Sequence, residues 1–305
     1  MRLAALPRSR PVIVRAADGI RLHTEVFGPE DGYPIVLTHG ITCAIQVWRE
    51  QIADLSADHR VIAFDPRGHG RSGVPPRDGY SLDHLASDLD AVLEATLAPG
   101  ERAVIAGHSM GGIAISAWAD RYRHSVEQRA DAVALINTAT GDLLREVKLL
   151  PVPARLADGR ANAAGRLLKT FGAMPVQLAA RTSRRLVTTM AVGADAHPAI
   201  ASFVYELFVA TPPAGRGGCA KMLVDLGPRH IDIKGLTVPT LVIGSTRDRL
   251  VPIIQARRIA EAAPNLVGLV ELPGGHCAIL EQPQEVNRHL RVLTESVRAA
   301  RQLSS

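Results

Sequence analysis

The chain has 305 residues, of which 47% are hydrophobic and 21% are charged. A chain of this length and composition can bury one large core together with an inserted subdomain. Its net charge of +5 comes with no nucleic-acid-binding motif and no lysine-rich run with interleaved aromatics, so we expect no nucleic-acid partner. The three cysteines are scattered, which excludes a disulfide framework or a zinc site, and we expect no metal and no cofactor. The absence of a secretory-signal pattern and of a long apolar run predicts a cytoplasmic protein.

The elements predicted in chain order begin with a hairpin and continue as alternating strands and helices. Residues 11–28 indicate two strands around Asp18 and Gly19, a pair that favours a tight turn. Helix patterns cover residues 81–97 and 253–263. Short apolar runs that indicate strands buried on both faces are YPIVLTHG, HRVIAF, ERAVIAGH, DAVALI, VPTLVIGS and NLVGLVEL. The alternation predicts an α/β fold with a mostly parallel sheet and helices on both faces.

Residues 142–212 break this alternation, because they show no strand pattern and resemble Ala-, Leu- and Arg-rich helices separated by prolines. We therefore predict a helical lid inserted between two core segments, 1–141 and 213–305. Residues 143–213 hold nine basic and four acidic side chains, an excess of five that equals the net charge of the chain. The basic residues are Arg145, Lys148, Arg155, Arg160, Arg166, Lys169, Arg181, Arg184 and Arg185. Two interpretations stay open: a solvated helical face, or a surface that makes peripheral contact with an anionic membrane or lipid substrate.

The stretch AGHSMGG places Ser109 between an apolar run and a helix pattern. We expect side chains at positions 107 and 111 to collide across a sharp turn, which explains Gly107 and Gly111, and we expect Gly112 to let the helix approach the strand. The pattern predicts a strained turn that lifts Ser109 Oγ above the sheet, near the positive end of a helix. The alternative is a glycine-rich turn whose serine merely caps the helix.

A serine hydroxyl needs a base before it can act as a nucleophile. His276 is the candidate base, because it follows the last predicted strand in a Pro-Gly-Gly loop, where α/β sheets place functional residues. The acid that orients this base should lie between the serine and the histidine in the chain, and Asp248 does so directly after a strand. Asp142 is the alternative acid, and a salt bridge with the neighbouring arginines is the structural interpretation of Asp248.

Two backbone N–H groups complete the predicted site as an oxyanion hole. One belongs to Met110, and the other belongs to Ile41 in the loop after an early strand, where Gly40 allows a close approach. Cys43 and His108 are predicted to line the substrate pocket with Gly40, although the imidazole of His108 should point away from Ser109 Oγ; Cys43 also fits a buried small residue. Loop-bracing roles are expected for His39, His69 and Asp65.

The segments HGIT, FDPRGHGRSG, GHSMGG, STRDRLVP and GGHCAILEQP resemble the α/β-hydrolase superfamily, in its cap-bearing esterase, lipase and epoxide-hydrolase-like branch. The resemblance covers about residues 12–140 and 213–297, and it implies an α/β-hydrolase fold with a helical cap and the triad Ser109, Asp248 and His276. Related epoxide hydrolases and haloalkane dehalogenases carry aspartate in place of the serine, so we expect acyl chemistry on a small-molecule or lipid ester. Three alternatives remain: a cofactor-free perhydrolase of the haloperoxidase type, a carbon–carbon bond hydrolase, and a small-molecule receptor on a hydrolase scaffold.

Overall fold

A computed structural model of the protein describes residues 3–142, 180–226 and 230–304, together with residues 159, 163, 165 and 166. Strands β1 to β8 are, in chain order, Ser9–Arg15, Arg21–Phe27, Tyr33–Thr38, His59–Phe64, Ala103–His108, Ala130–Ile136, Thr240–Ser245 and Leu266–Leu272. They form an eight-stranded sheet in the order β1-β2-β4-β3-β5-β6-β7-β8. β2 is antiparallel to both β1 and β4, and every other pairing is parallel, which confirms the predicted sheet.

Helices cover both faces of the sheet. Helices α1 to α10 are Arg49–Leu55, Leu82–Thr96, Met110–Arg121, Arg123–Arg129, Ala180–Ala191, Pro198–Ala210, Pro213–Leu226, Ile254–Ala262, Ala278–Glu281 and Pro283–Ser304. The alternation of side chains along β3 shows how the sheet divides the core. Ile35 and Leu37 join the core that α1 and α10 cover, whereas Val36 joins the opposite core, under α2, α3 and α8.

Two of these elements begin where local sequence signals predict. The hairpin between β1 and β2 turns through Gly19, whose φ of +83° suits glycine. Helix α2 starts at Ser81, whose side chain accepts a hydrogen bond from the N–H of His84. Short-range chemistry therefore sets where these elements begin, while burial on two faces determines the sheet.

Helices α5 and α6 lie within the segment predicted as a lid, and α7 begins one residue after its predicted boundary. The side chains of Arg166, Arg184 and Arg185 are exposed. The other six basic residues of the segment lie outside the part whose side chains the structure describes, so the anionic surface contact stays a prediction; they are Arg145, Lys148, Arg155, Arg160, Lys169 and Arg181. Across the described ranges, no helix has the length and apolar character needed to cross a membrane.

Candidate active site

Ser109 forms the turn between β5 and α3 in the strained conformation that the sequence predicts. Its φ of +54° and ψ of −121° are rare for a residue with a side chain. The backbone is held on both sides: its N–H donates to Ile136 O at 3.0 Å, and its carbonyl oxygen accepts from Thr138 Oγ1 at 2.7 Å. The half-buried Ser109 side chain forms no hydrogen bond with another described residue, which leaves Oγ available to a ligand.

The glycines around Ser109 serve three different contacts. A Cβ on Gly107 would lie 2.5 Å from the Gly111 carbonyl carbon, which confirms the predicted collision across the turn. The same explanation is wrong for Gly111, whose Cβ would lie 2.1 Å from Thr38 O, at the end of the neighbouring strand β3. A Cβ on Gly112 would lie 2.6 Å from the Thr138 side chain, just after β6. Glycine is therefore required because helix α3 begins close to the ends of two strands.

Asp248 and His276 are brought together at the carboxyl ends of β7 and β8. His276 Nδ1 donates to Asp248 Oδ2 at 2.7 Å, and the two side chains are 8% and 0% exposed. The neighbouring Arg247 pairs instead with Asp195, in the segment predicted as a lid. Asp248 therefore orients an imidazole, and the alternative interpretation as a local salt bridge does not describe its contacts.

Hydrogen bonds fix the Asp248 carboxylate from every side. Oδ1 accepts the N–H groups of Leu250 and Val251, each at 2.8 Å, and Oδ2 also accepts from Asn137 Nδ2 at 2.9 Å. Asn137 directly follows β6 and has a φ of +45°. Sequence reasoning missed Asn137; its position after the buried strand that pairs with β7 is the signal that could have found it.

Asp142, the alternative acid, lies elsewhere. Its Oδ2 is 3.1 Å from Nε2 of His230, and the two side chains are 22% and 59% exposed. The structure therefore brings Asp248, rather than Asp142, to His276.

The predicted oxyanion hole is made of two loops that approach each other closely. A Cβ on Gly40 would lie 2.8 Å from Ser109 Cβ, so only glycine allows this approach. Ile41 is half-buried and packs against the cluster that contains Met110. Neither the Ile41 N–H nor the Met110 N–H donates a hydrogen bond to a described residue, so both are available to a ligand.

Buried polar residues hold the loop that carries Ile41. The Thr42 N–H donates to His69 Nε2 at 3.0 Å, and His69 Nδ1 donates to Arg67 O at 3.1 Å. Burial, together with the neighbouring His39, lowers the pKa of His69 to about 4, so His69 remains a neutral acceptor near pH 7. Thr42 has a φ of +61°, and this hydrogen bond holds it in that unfavourable conformation.

Asp65 anchors the same loop further along. Its Oδ1 accepts the Ile45 N–H at 2.8 Å and lies 3.2 Å from His39 Nε2, while His39 Nδ1 lies 2.9 Å from Gly40 O. Burial raises the pKa of the Asp65 carboxyl, but the hydrogen bonds from His39, Arg71 and Ile45 outweigh it and keep the pKa below its usual value. The predicted bracing roles of His39, His69 and Asp65 are confirmed.

His108 and Cys43 are buried close to this site. His108 Nε2 donates to the His276 carbonyl oxygen at 2.9 Å, and burial lowers the pKa of His108 to about 3. Burial raises the pKa of the Cys43 thiol to about 12. With exposures of 1% and 8%, these side chains are buried, and their assignment with Gly40 to a substrate pocket stays a prediction. Within the described residues, no group of three or more His, Cys, Asp or Glu side chains is arranged to bind a metal ion.

Comparison with known proteins identifies the family of this fold. The model of the alpha/beta hydrolase fold family matches residues 33–283. The chain belongs to this family. It is 29% identical over 259 residues to a non-heme chloroperoxidase from Burkholderia pyrrocinia, covering 80% of this chain and 84% of that protein. It is 24% identical over 272 residues to 3-oxoadipate enol-lactonase 2 from Acinetobacter baylyi, covering 89% and 92%.

Solved structures of family members have the same fold. A thermophilic esterase from Thermogutta terrifontis superimposes with a TM-score of 0.72 at 25% identity, covering 95% of this chain and 99% of that one. An esterase from Exiguobacterium antarcticum reaches a TM-score of 0.76 at 19% identity, which is evidence for the fold alone. The fold and the hydrolase family inferred from the sequence are therefore confirmed.

Proposed function

We propose that the protein is a serine hydrolase that cleaves carboxylic esters through an acyl-enzyme on Ser109. The observation that carries this proposal is the 2.7 Å hydrogen bond between His276 and Asp248, at the sheet edge where Ser109 forms its strained turn. Strands β5 to β8 are parallel neighbours, so the loops after them meet at one edge. The rings of His276 and His108, the residue before Ser109, are 4.9 Å apart.

The proposed reaction uses these groups in two steps. Ser109 Oγ attacks the ester carbonyl carbon while His276 Nε2 accepts its proton, and Asp248 holds Nδ1–H throughout. The N–H groups of Ile41 and Met110 stabilise the negative oxygen of the tetrahedral intermediate. His276 then protonates the departing alcohol, which leaves the acyl group on Ser109. Water, deprotonated by His276, releases the acid and restores the serine.

Two relatives bear on the bond that is cleaved. The Thermogutta protein is an esterase and the Acinetobacter protein is an enol-lactonase, and both names describe attack on a carboxylic ester bond. The Burkholderia relative is a chloroperoxidase, which favours perhydrolysis as a second candidate function. In that reaction hydrogen peroxide, rather than water, accepts the acyl group from Ser109 and yields a peracid. Both candidates share the first half-reaction, so they differ only in the acceptor.

A panel of nitrophenyl esters of graded acyl length, combined with a fluorophosphonate probe, tests the proposal. We expect ester turnover and covalent labelling at one serine, found by mass spectrometry on the peptide that contains Ser109. Added hydrogen peroxide should yield peracid if perhydrolysis is the physiological reaction. A protein that binds these esters but neither turns them over nor reacts with the probe would be a receptor.

Replacing His69 by leucine should weaken the oxyanion hole. The change removes the acceptor of the Thr42 N–H and frees a loop held at a φ of +61°. Loss of one oxyanion donor lowers kcat by about 10²–10³-fold, so we expect up to about 10²-fold here, with KM nearly unchanged. Steady-state kinetics on nitrophenyl acetate measure this effect. The control is His124→Leu, a histidine on the surface that bonds only Gln128 among the described residues. Equal kcat values for the two variants would exclude this role of His69.

A further inference from the structure

The turn that follows helix α5, residues 192–197, packs directly on the loop that carries His276, residues 273–277. These two segments are called the lid turn and the histidine loop. The Cys277 N–H donates to Ala191 O at 3.1 Å. A Cβ on Gly275 would lie 2.2 Å from Gly193 N, so the two backbones touch where both residues are glycine. This contact joins the lid segment to the residues on either side of the candidate base.

Glu281, the last residue of α9, bridges the same two segments. Its Oε2 accepts the N–H of Gly193 in the lid turn and the N–H of Gly275 in the histidine loop, each at 2.9 Å. Its Oε1 is buried and has no hydrogen-bond partner within the described residues. Burial raises the pKa of the Glu281 carboxyl above its usual value, against the effect of these backbone hydrogen bonds. Because a buried carboxylate with an unsatisfied oxygen is unfavourable, its contribution to stability alone does not account for it.

Within the described part of the chain, three side chains bond the histidine loop, and each of them binds a different group of it. Asp248 holds the imidazole of His276, and His108 holds its carbonyl oxygen. Glu281 holds the N–H of the preceding residue, Gly275, and at the same time the N–H of Gly193 in the lid turn, in addition to the direct hydrogen bond from Cys277 N–H to Ala191 O. A shift of the lid turn would therefore reach the histidine loop through this carboxylate as well as through the Cys277–Ala191 hydrogen bond.

We propose that Glu281 is a positioning residue that fastens the lid turn to the histidine loop, so that the place of the lid sets the place of the base. The inference rests on the proposed function, in which His276 acts as the base. When the two N–H groups are bound, the loop holds Nε2 in its reactive position. When the lid turn moves away, the carboxylate loses one of its two donors and no longer bridges the two segments.

The first test compares two substitutions of Glu281. Glu281→Met keeps the length of the side chain but removes the acceptor, and we expect kcat on nitrophenyl acetate to fall about 10–10²-fold, because a displacement near 1 Å has effects of that size. KM should change little, since the hydrogen bonds of Glu281 go to the backbone N–H groups of Gly193 and Gly275 rather than to a group proposed to bind the ester. Glu281→Gln keeps an oxygen that accepts both N–H groups and should restore most of kcat. The control is Glu285→Met, which removes a half-exposed carboxylate paired with Arg288.

The second test acts on the same contact from the lid side. In Gly193→Ala the added Cβ would lie 2.7 Å from Glu281 Oε2 and 3.0 Å from Gly275 N, so it separates the two segments. We expect a fall in kcat in the same direction as for Glu281→Met. Because Gly193 lies outside the strand core, this variant tests the proposal even if Glu281→Met does not fold.

Hydrogen exchange at the amides of Gly275 and Cys277 provides a readout that needs no substrate. Faster exchange in Glu281→Met than in Glu285→Met supports the proposed link between the lid turn and the histidine loop. This result stands even if the wild-type protein hydrolyses no ester and the proposed function fails. Unchanged exchange, a kcat equal to that of the control, or an equal loss in Glu281→Gln would each overturn the role of Glu281.

Discussion

Replacing Ser109 by alanine is expected to lower ester turnover by about 10⁴–10⁶-fold, because triad residues act as a unit and removal of the nucleophile from a serine protease has an effect of that size. The fold should survive, since Ser109 Oγ has no hydrogen-bond partner within the described part of the chain. Alanine meets the same strain as serine at a φ of +54°. Ser109→Gly relieves that strain, so it should be equally inactive but more stable than Ser109→Ala by about 1–3 kcal/mol.

Kinetics on nitrophenyl acetate, fluorophosphonate labelling and thermal unfolding together measure these effects. Ser116 offers a matched control, because it lies two turns further along α3, is fully buried and donates to Gly112 O at 2.9 Å within its own helix. Ser116→Ala should keep both turnover and labelling. If Ser109→Ala were still labelled at the wild-type rate, the nucleophile would lie elsewhere in the chain.

The elements of this fold could be predicted from sequence because their signals are local. Buried strands such as β5 and β6 are continuous apolar runs, and helix α2 begins at a serine cap. The turn at Ser109 could be predicted for the same reason, since glycines at fixed spacing around a serine describe one sharp turn. Local signals also pointed to His276, the first titratable side chain in the loop after β8, and to Asp248, the first acidic side chain in the loop after β7.

Contacts between distant segments could not be predicted in this way. The sequence predicts that Gly111 avoids a collision within its own turn. In the structure it makes room for Thr38 O instead, because β3 and β5 are neighbours in the sheet and far apart in the chain. The contacts of Asn137 and Glu281 could not be predicted for the same reason, because they depend on which loops lie together at the sheet edge. One amino-acid sequence on its own does not show which distant loops contact each other in the fold.

Asp248→Asn should lower kcat by about 10⁴-fold, as the equivalent change does in a serine protease. The surroundings of Asp248 fix how the new amide must lie. Its oxygen must face the N–H groups of Leu250 and Val251, which now bond Oδ1 at 2.8 Å, so its NH₂ group faces His276 Nδ1.

An amide donor at that point reverses the tautomer of His276. Nδ1 becomes the acceptor and Nε2 carries the proton, so the imidazole can no longer take the proton of Ser109. The buried Oδ1 of Asn137 has no partner among the described residues. A flip of the Asn137 side-chain amide would turn this oxygen toward the new NH₂ group at position 248, from which it would accept a hydrogen bond. The fold should therefore tolerate Asp248→Asn, and thermal unfolding should change little while turnover collapses.

Asp142→Asn is the matched control, because Asp142 also follows β6 but pairs with His230 at 3.1 Å on the surface. We expect its kcat on nitrophenyl acetate to stay close to the wild-type value. Because the two substitutions make the same chemical change, a difference between them reports position alone. A large loss in Asp142→Asn with a small loss in Asp248→Asn would place the acid after β6, and the pairing of Asp248 with His276 would then serve the fold rather than catalysis.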